Sequence, residues 1–153
     1  MTMPTFSGEA RSRIARITAG YLARTGRALV PGSHDDPVAA VWAAPFALVA
    51  HGTEPDPIFF FGNAMALSLF EMDFSQFTRL PSRLSAEPLQ REERAHLLDR
   101  VTRDGIIEDY CGVRISASGR RFLIRNAVVW NLTDDRGRPA GQAARFAEWE
   151  PVG

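Results

Sequence analysis

Cys111 is the only cysteine of the 153-residue chain, and it lies in a strand-forming segment that runs from Ile106 to Ser116. A thiol acts as a nucleophile or redox sensor when a nearby cation stabilises its thiolate. No His stands beside Cys111 in the sequence, and the chain has no Lys at all. We therefore expect a buried, inert thiol rather than a redox-sensing or adduct-forming one. A lone cysteine also excludes an internal disulfide and a cysteine-rich zinc site.

Three polar residues interrupt otherwise apolar strand segments, namely Asp109, Asn126 and Gln142. Burying such a group costs on the order of a few kcal/mol unless it finds a hydrogen-bond partner. That partner is either a neighbouring protein group or water, as in ordinary core packing, or a bound ligand. With Trp130 as an aromatic wall, these groups predict a small-molecule pocket, and Gln142 is the residue that we expect to contact the ligand most directly.

Signatures of catalysis and of metal binding are missing from the sequence. His34, His51 and His96 lack metal-ligand spacing with one another or with an acid. Glu108 and Asp109 are adjacent on a predicted strand, so their side chains point to opposite faces and do not form a pair. No glycine-rich phosphate loop or nucleophile elbow is present. The sequence therefore predicts a protein without enzymatic activity and without a metal.

The composition indicates a globular protein in the cytoplasm. Hydrophobic residues make up 45% of the chain, and 18 acids balance 18 bases, so no net charge attracts nucleic acid or an anionic membrane. The longest apolar stretch, from Val38 to Ala50, is too short to span a bilayer and contains Pro45. The first residues show no secretion signal. We expect no nucleic acid and no membrane among the partners.

Helices and two short strands are predicted in the first two thirds of the chain. Apolar residues at helical spacing predict a helix from Ser7 to Arg24 whose buried stripe consists of Ala10, Ile14, Ile17 and Tyr21. Capping signals predict that further helices start after Asp36, Asn63 and Asp73. Strands are expected at residues 46–51 and 58–61, and a longer helix at residues 91–103.

Three strand segments fill the last third, at residues 106–116, 121–132 and 139–149, and hairpin signals between them predict their pairing. A two-residue turn at Ser118-Gly119 places Cys111 opposite Asn126. A three-residue loop in the second hairpin places Trp130 opposite Gln142. The residues that we expect to bind a ligand from this common inward face are Asp109, Cys111, Phe122, Ile124, Asn126, Val128, Trp130 and Gln142.

The outward face of the same strands carries Leu123, Ala127 and Val129, which is too apolar for contact with water. Something must cover it. The two candidates are the N-terminal helix and a second subunit.

Several sequence blocks resemble the MEKHLA domain family. They include Ala44-Pro45-Phe46, His51-Gly52-Thr53-Glu54, the segment from Leu80 to Pro88, Gly112-Val113-Arg114-Ile115-Ser116, Val129-Trp130-Asn131-Leu132 and Gly141-Gln142-Ala143-Ala144. MEKHLA domains are similar to PAS domains. The resemblance implies an α+β fold with a five-stranded antiparallel sheet, in the order second, first, fifth, fourth, third, and helices on its concave face. Residues 1–35 would form an N-terminal helical extension, and residues 36–153 the PAS-like domain.

The resemblance implies a sensory or small-molecule-binding module that acts through a homodimer or a protein partner. The alternative is an interaction or dimerisation domain whose pocket is filled by its own side chains. A third hypothesis, an enzyme on an α+β cone fold, lacks a buried acid with a base. The sequence does not identify a cofactor, and it argues against flavin and haem. Cys111 is not in the helical motif of flavin-adduct cysteines, and no inward His is evident.

Overall fold

The computed structural model describes residues 1–86 and 88–153, without the side chains of residues 88–91, 94 and 98. Glu87, part of one block that carries the resemblance, lies outside the described residues. The helices are α1 (Gly8–Thr25), α2 (Pro37–Trp42), α3 (Ala64–Phe70), α4 (Phe74–Phe77) and α5 (Pro88–Asp104), with a 3₁₀ turn at Ser82–Ser85. The strands are β1 (Ala47–His51), β2 (Phe59–Gly62), β3 (Ile106–Ile115), β4 (Arg121–Thr133), β5 (Pro139–Phe146) and β6 (Glu148–Val152).

The predicted helix starts are confirmed by their side-chain caps. Asp36 accepts hydrogen bonds from the backbone of α2, and Asp73 forms a reciprocal capping box with Gln76 at the start of α4. Asn63 caps α3 by accepting from the backbone N–H of Ala66 at 3.1 Å. Its amide also donates to two carbonyls outside α3, so this fully buried residue fixes α3 against the rest of the core.

The strands form one antiparallel sheet in the order β2-β1-β5-β4-β3, as the resemblance implied. The third predicted segment is divided at Ala147. Its first part, β5, pairs with β1 and with the second half of β4, whereas β6 pairs with the first half of β4. The predicted α+β, PAS-like architecture is thus confirmed, with one additional short strand.

Helix α1 covers the convex face of the sheet. Its buried residues are Ile14, Ile17 and Tyr21. The indole N–H of Trp130 donates to the carbonyl oxygen of Ile17 at 3.1 Å, and the Trp130 and Tyr21 rings meet edge to face. A Cβ on Gly20 would lie 3.2 Å from the Trp130 ring, so glycine permits this close approach. Helix α1 therefore covers Trp130, which was expected to face inward, whereas Val129, which was expected to face outward, lies on the opposite face of the sheet.

The predicted pairing of β3 with β4 is wrong by one residue. Gly112 lies opposite Ile124, and Arg114 lies opposite Phe122. The cause is the turn: Ser116 N–H donates to the carbonyl of Arg120 at 2.9 Å, which leaves three residues in the loop instead of two. Gly119 occupies the left-handed position, with φ 87°, as is usual for the last residue of a three-residue hairpin loop. A shift of one residue exchanges the two faces of β3.

Two irregularities displace the other predicted contacts. Asn126 has φ 52° and marks a bulge in β4, so side chains after it alternate in the opposite sense from those before it. In the second hairpin the predicted three-residue loop is present, but a further bulge shifts β5 against β4 between Leu132 and Thr133. As a result Trp130 lies opposite Ala143, and not opposite Gln142.

Candidate functional site

A cavity of about 50 Å³ lies between the concave face of the sheet and the helices that pack on it. Its walls are mainly apolar, with a small number of polar side chains that face inward, as is common in ligand sites. The apolar side chains include Val49, Phe59, Phe70, Leu97, Ile124, Val129, Ala144 and Phe146, and the polar ones are His51, Ser85, Tyr110, Arg114 and Gln142.

Two of the eight residues predicted to bind a ligand line this cavity, namely Ile124 and Gln142. A third, Phe122, is buried on the same face and contacts the ring of Phe70, which lines the cavity. The structure therefore brings these three together, and their role in binding stays a prediction. Val129, which was expected to face outward, lines the cavity because the bulge at Asn126 reverses the alternation.

The other five predicted residues lie elsewhere. Cys111 and Asp109 are exposed, because the register of β3 turns Gly112 and Arg114 inward in their place. The expectation of a buried Cys111 was thus wrong. Asn126 is also exposed, and its amide donates to Glu148 at 2.9 Å.

Trp130 and Val128 follow the bulge and belong to the convex face. Trp130 is completely buried against α1, where its indole N–H is already hydrogen-bonded. The aromatic wall that the sequence suggested for a pocket is thus a packing residue beneath the N-terminal helix.

Arg114 is the one charged side chain among the described residues that line the cavity, apart from His51, and sequence reasoning missed it. Only 7% of its surface is exposed. One guanidinium nitrogen donates to the hydroxyl of Tyr110 at 2.7 Å, and another donates to the carbonyl of Val113 at 3.0 Å. Among the residues that the structure describes, no carboxylate forms an ion pair with it. Predicting a three-residue loop at the first hairpin, instead of a two-residue turn, would have placed Arg114 on the inward face.

Gly112 makes the contact between Tyr110 and Arg114 possible. A Cβ at residue 112 would lie 2.3 Å from the Tyr110 hydroxyl oxygen, so the tyrosine side chain lies directly across the glycine. The Arg114 guanidinium carbon is 5.3 Å from the centre of the Tyr110 ring, within the range of a cation–π interaction. The ring and the hydroxyl hold the guanidinium in place without neutralising its charge.

Gln142 connects the cavity wall to α5. Its amide nitrogen donates to Asn131 Oδ1 at 3.0 Å and to Thr102 Oγ1 at 3.2 Å. Asn131 in turn donates to the carbonyl of Val101 at 2.8 Å, in the last turn of α5. Beside Gln142 on β1 lies His51, whose Nδ1 donates to the carbonyl of Gly52 at 2.9 Å. These contacts join the cavity floor, the sheet and the helix end.

Glu71 fixes the β3–β4 hairpin from outside the cavity. Its carboxylate accepts hydrogen bonds from the hydroxyl groups of Ser116 and Ser118, from the backbone N–H of Ser118, and from Arg120. These donors, with Ser116 the strongest, lower the pKa of Glu71 to about 2. The carboxylate is therefore ionised at neutral pH and holds the hairpin that carries Arg114 in its register.

The residues present do not fit a flavin, a haem or a metal ion. Small-molecule pockets typically measure roughly 300–1,000 Å³, whereas this cavity has about 50 Å³. The single thiol, Cys111, lies on the opposite face of β3. Within residues 1–86 and 88–153, no group of three His, Cys, Asp or Glu side chains is placed to hold a metal.

The chain belongs to the MEKHLA domain family, because the model of that family matches residues 11–151. The resemblance inferred from the sequence blocks is thus confirmed. The matched range begins within α1, and the division of the chain at residue 36 stays a prediction. Among curated proteins, none matches this chain.

Solved structures that resemble the chain establish the PAS fold. A PAS domain of a protein from Colwellia psychrerythraea has a TM-score of 0.63 and 13% identity, covering 75% of this chain and 92% of that one. A light-oxygen-voltage domain studied with a flavin analogue has a TM-score of 0.59 and 15% identity, over 76% and 84%. A PAS domain from a two-component sensor histidine kinase has a TM-score of 0.56 and 15% identity, over 73% and 89%.

No helix in the described part of the chain is both long enough and apolar enough to cross a bilayer.

Proposed function

We propose that this chain is a PAS-like sensory module that binds a small molecule in the cavity beneath its sheet and catalyses no reaction. The observation that carries the proposal is the cavity itself, which combines an apolar wall with the inward polar groups of Arg114, Tyr110 and Gln142. A few placed polar groups in an apolar enclosure are what gives a site orientation and specificity. The cytoplasmic location and a homodimeric or other protein partner are further parts of the proposal.

A route from the cavity to the outer surface supports a signalling role. Gln142 lines the cavity and hydrogen-bonds Asn131, which holds the last turn of α5. The preceding residue of β4, Trp130, points to the other face of the sheet and donates a hydrogen bond to the carbonyl of Ile17 in α1. A ligand that moves Gln142 would therefore act on α5 directly and on α1 through a single strand. Such a signal requires two conformations of the protein, with Gln142 in different positions, that differ in their affinity for the ligand.

The small volume of the cavity favours one alternative, an interaction domain whose interior is filled by its own side chains. In that case binding to a second copy or another protein would not depend on any ligand. The two functions differ in what happens when the cavity is filled by mutation.

Ala144→Leu tests the proposal, since Ala144 lines the cavity and a larger side chain would occupy it. Ala147→Leu, at the exposed break between β5 and β6, is the matched control. A panel of small metabolites is screened by thermal unfolding. A ligand at about 100 times its Kd should raise the Tm by about 5–10 °C. We expect this shift in the wild type and in the control, and its loss in Ala144→Leu.

Native mass spectrometry of the purified wild type completes the test. A small bound mass that is absent from Ala144→Leu would support the sensory module. A ligand-free dimer in both proteins, together with no thermal shift for any compound, would contradict it and favour the interaction domain.

A further inference from the structure

The positive charge of Arg114 has no counter-charge in the part of the chain that the structure describes. A guanidinium group stays protonated at any physiological pH, so burial cannot be relieved by loss of a proton. Taking an ion out of water costs several kcal/mol unless an opposite charge replaces the lost hydration. The described arginines that form ion pairs lie at or near the surface. Arg114 forms none with a described residue, and only 7% of its surface is exposed.

The protein contacts of Arg114 leave a large part of its hydrogen-bonding capacity unused. A guanidinium group has five N–H donors in a rigid fork. Arg114 donates two hydrogen bonds within the protein, one to the Tyr110 hydroxyl and one to the carbonyl of Val113, and both acceptors are neutral. The side chain is nevertheless held firmly, because Tyr110 lies across Gly112 against it. A fixed, charged fork with spare donors in a cavity is suited to an anion, and a planar carboxylate matches its geometry with two parallel hydrogen bonds.

The volume of the cavity and the chemistry of its walls limit which anions could bind. One water needs roughly 10–15 Å³ of cavity volume, so the cavity's 50 Å³ corresponds to about three to five non-hydrogen ligand atoms. Most of the wall is apolar and includes Phe59, Phe70 and Phe146, which offer nothing to a second charged group. A ligand with one carboxylate and a short alkyl end meets both requirements. Dicarboxylates and phosphorylated metabolites do not.

We propose that the cavity binds a short-chain monocarboxylate of about two or three carbons, with its carboxylate on Arg114 and its alkyl end among the phenylalanines. The inference rests on the proposed function, because it names the ligand class for the same cavity. Arg114 is the anchor, and Tyr110 is a positioning residue that orients the guanidinium. Gln142, which also lines the cavity and donates to Thr102, is the group through which occupancy reaches α5.

Propionate and its uncharged analogue propionamide test the charge requirement. The full chain is titrated with each at constant ionic strength, and binding is measured by calorimetry and by NMR shifts at Ile124, Ala144 and the Arg114 side-chain N–H. Charge-assisted hydrogen bonds contribute about 1.5–3 kcal/mol, so propionate should bind at least about tenfold more tightly than propionamide. Equal affinity would overturn the proposal. Nitrate or chloride binding as tightly as propionate would overturn the carboxylate in favour of an inorganic anion.

Arginine variants test the anchor. Arg114→Gln should weaken propionate binding at least about tenfold, and Arg136→Gln, in the exposed second hairpin, should leave it unchanged. Arg114→Lys keeps the charge but loses the fork, so an intermediate affinity is expected, and this variant serves if the glutamine variant does not fold. Wild-type affinity in both Arg114 variants would overturn the proposal.

The outcomes separate this inference from the proposed function. Neutral molecules that bind the wild type but not Ala144→Leu would contradict the monocarboxylate and leave the sensory module standing. No binding of any small molecule, charged or neutral, would contradict both.

Discussion

The convex and concave faces of the sheet are formed by the same strands, yet they are packed to different degrees. On the convex face, Trp130 is fully buried, hydrogen-bonded to α1 and separated from Gly20 by no free space. On the concave face, a cavity remains, and it contains the buried charge of Arg114. Protein interiors normally reach the packing density of organic crystals, so the void beside Arg114 marks the concave face as the less tightly packed of the two.

A single bulge separates the two kinds of surface along β4. Before Asn126, Phe122 and Ile124 face the concave side, and after it Val129 does so, whereas Trp130 faces α1. We therefore propose that the side chains under α1 serve stability and that those lining the cavity serve binding. Amino-acid type alone would have assigned them differently, since tryptophan is common in ligand sites and arginine is common on surfaces.

Two substitutions of similar size test this difference most strongly. Leu132 and Ile124 are each 2% exposed, but only Ile124 borders the cavity. Leu132→Ala should lower the free energy of unfolding by about 4 kcal/mol. Ile124→Ala should cost about 1–2 kcal/mol less, because one side of that residue already lacks contacts. Chemical denaturation measures both, and equal losses would contradict the difference in packing.

Gly141→Ala tests the bulge that sets the register of β5. Gly141 has φ 132°, and a Cβ there would lie 2.1 Å from the backbone oxygen of His51. Neither atom can move without displacing a strand, so we expect a loss of about 3 kcal/mol or more. Gly137→Ala is the milder control, because it has φ 76° but no atom within 4 Å. A Gly141→Ala protein as stable as the control would show that β1 and β5 approach less closely.

Acid should release the hairpin that carries Arg114. The pKa of Glu71 is lowered from 4.5 to about 2 in the folded protein. Its contribution to stability is therefore complete above pH 4.5 and is lost as the pH falls towards 2. Glu71→Gln should remove this part of the pH dependence, which denaturation at several pH values measures. Glu108→Gln, at an exposed carboxylate on β3, is the control that should retain it. Parallel pH curves for wild type and Glu71→Gln would contradict the assigned contacts.

The smallest effect is expected at Cys111. Because its side chain is exposed on the outer side of β3, Cys111→Ser should change stability by less than about 0.5 kcal/mol. The thiol of the native protein should react with a thiol reagent about as fast as in denaturant. Strong protection in the native state would mean that β3 is registered as the sequence first suggested, with Cys111 inward and Arg114 outward.

Element positions could be predicted from the sequence because their signals are local. The caps at Asp36, Asn63 and Asp73 and the apolar stripe of α1 each depend on a few neighbouring residues. The faces of the strands depend instead on turn length and bulges, where one residue reverses every side chain. Ser118-Gly119 reads equally as a two-residue turn or as the end of a three-residue loop. Because the two-residue turn was chosen, Cys111 was included in the predicted site and Arg114 was left out.

The central claim is that Arg114 is a buried charge whose counter-ion is the carboxylate of a bound ligand. The stability of Arg114→Met, measured in buffer free of carboxylates, tests this claim. Removing a buried charge without a described counter-charge relieves its desolvation cost, and it forfeits two hydrogen bonds to neutral groups and the contact with the Tyr110 ring. The account predicts that the free energy of unfolding stays the same or rises. A loss of about 3 kcal/mol or more, as when a paired buried charge is broken, would contradict it.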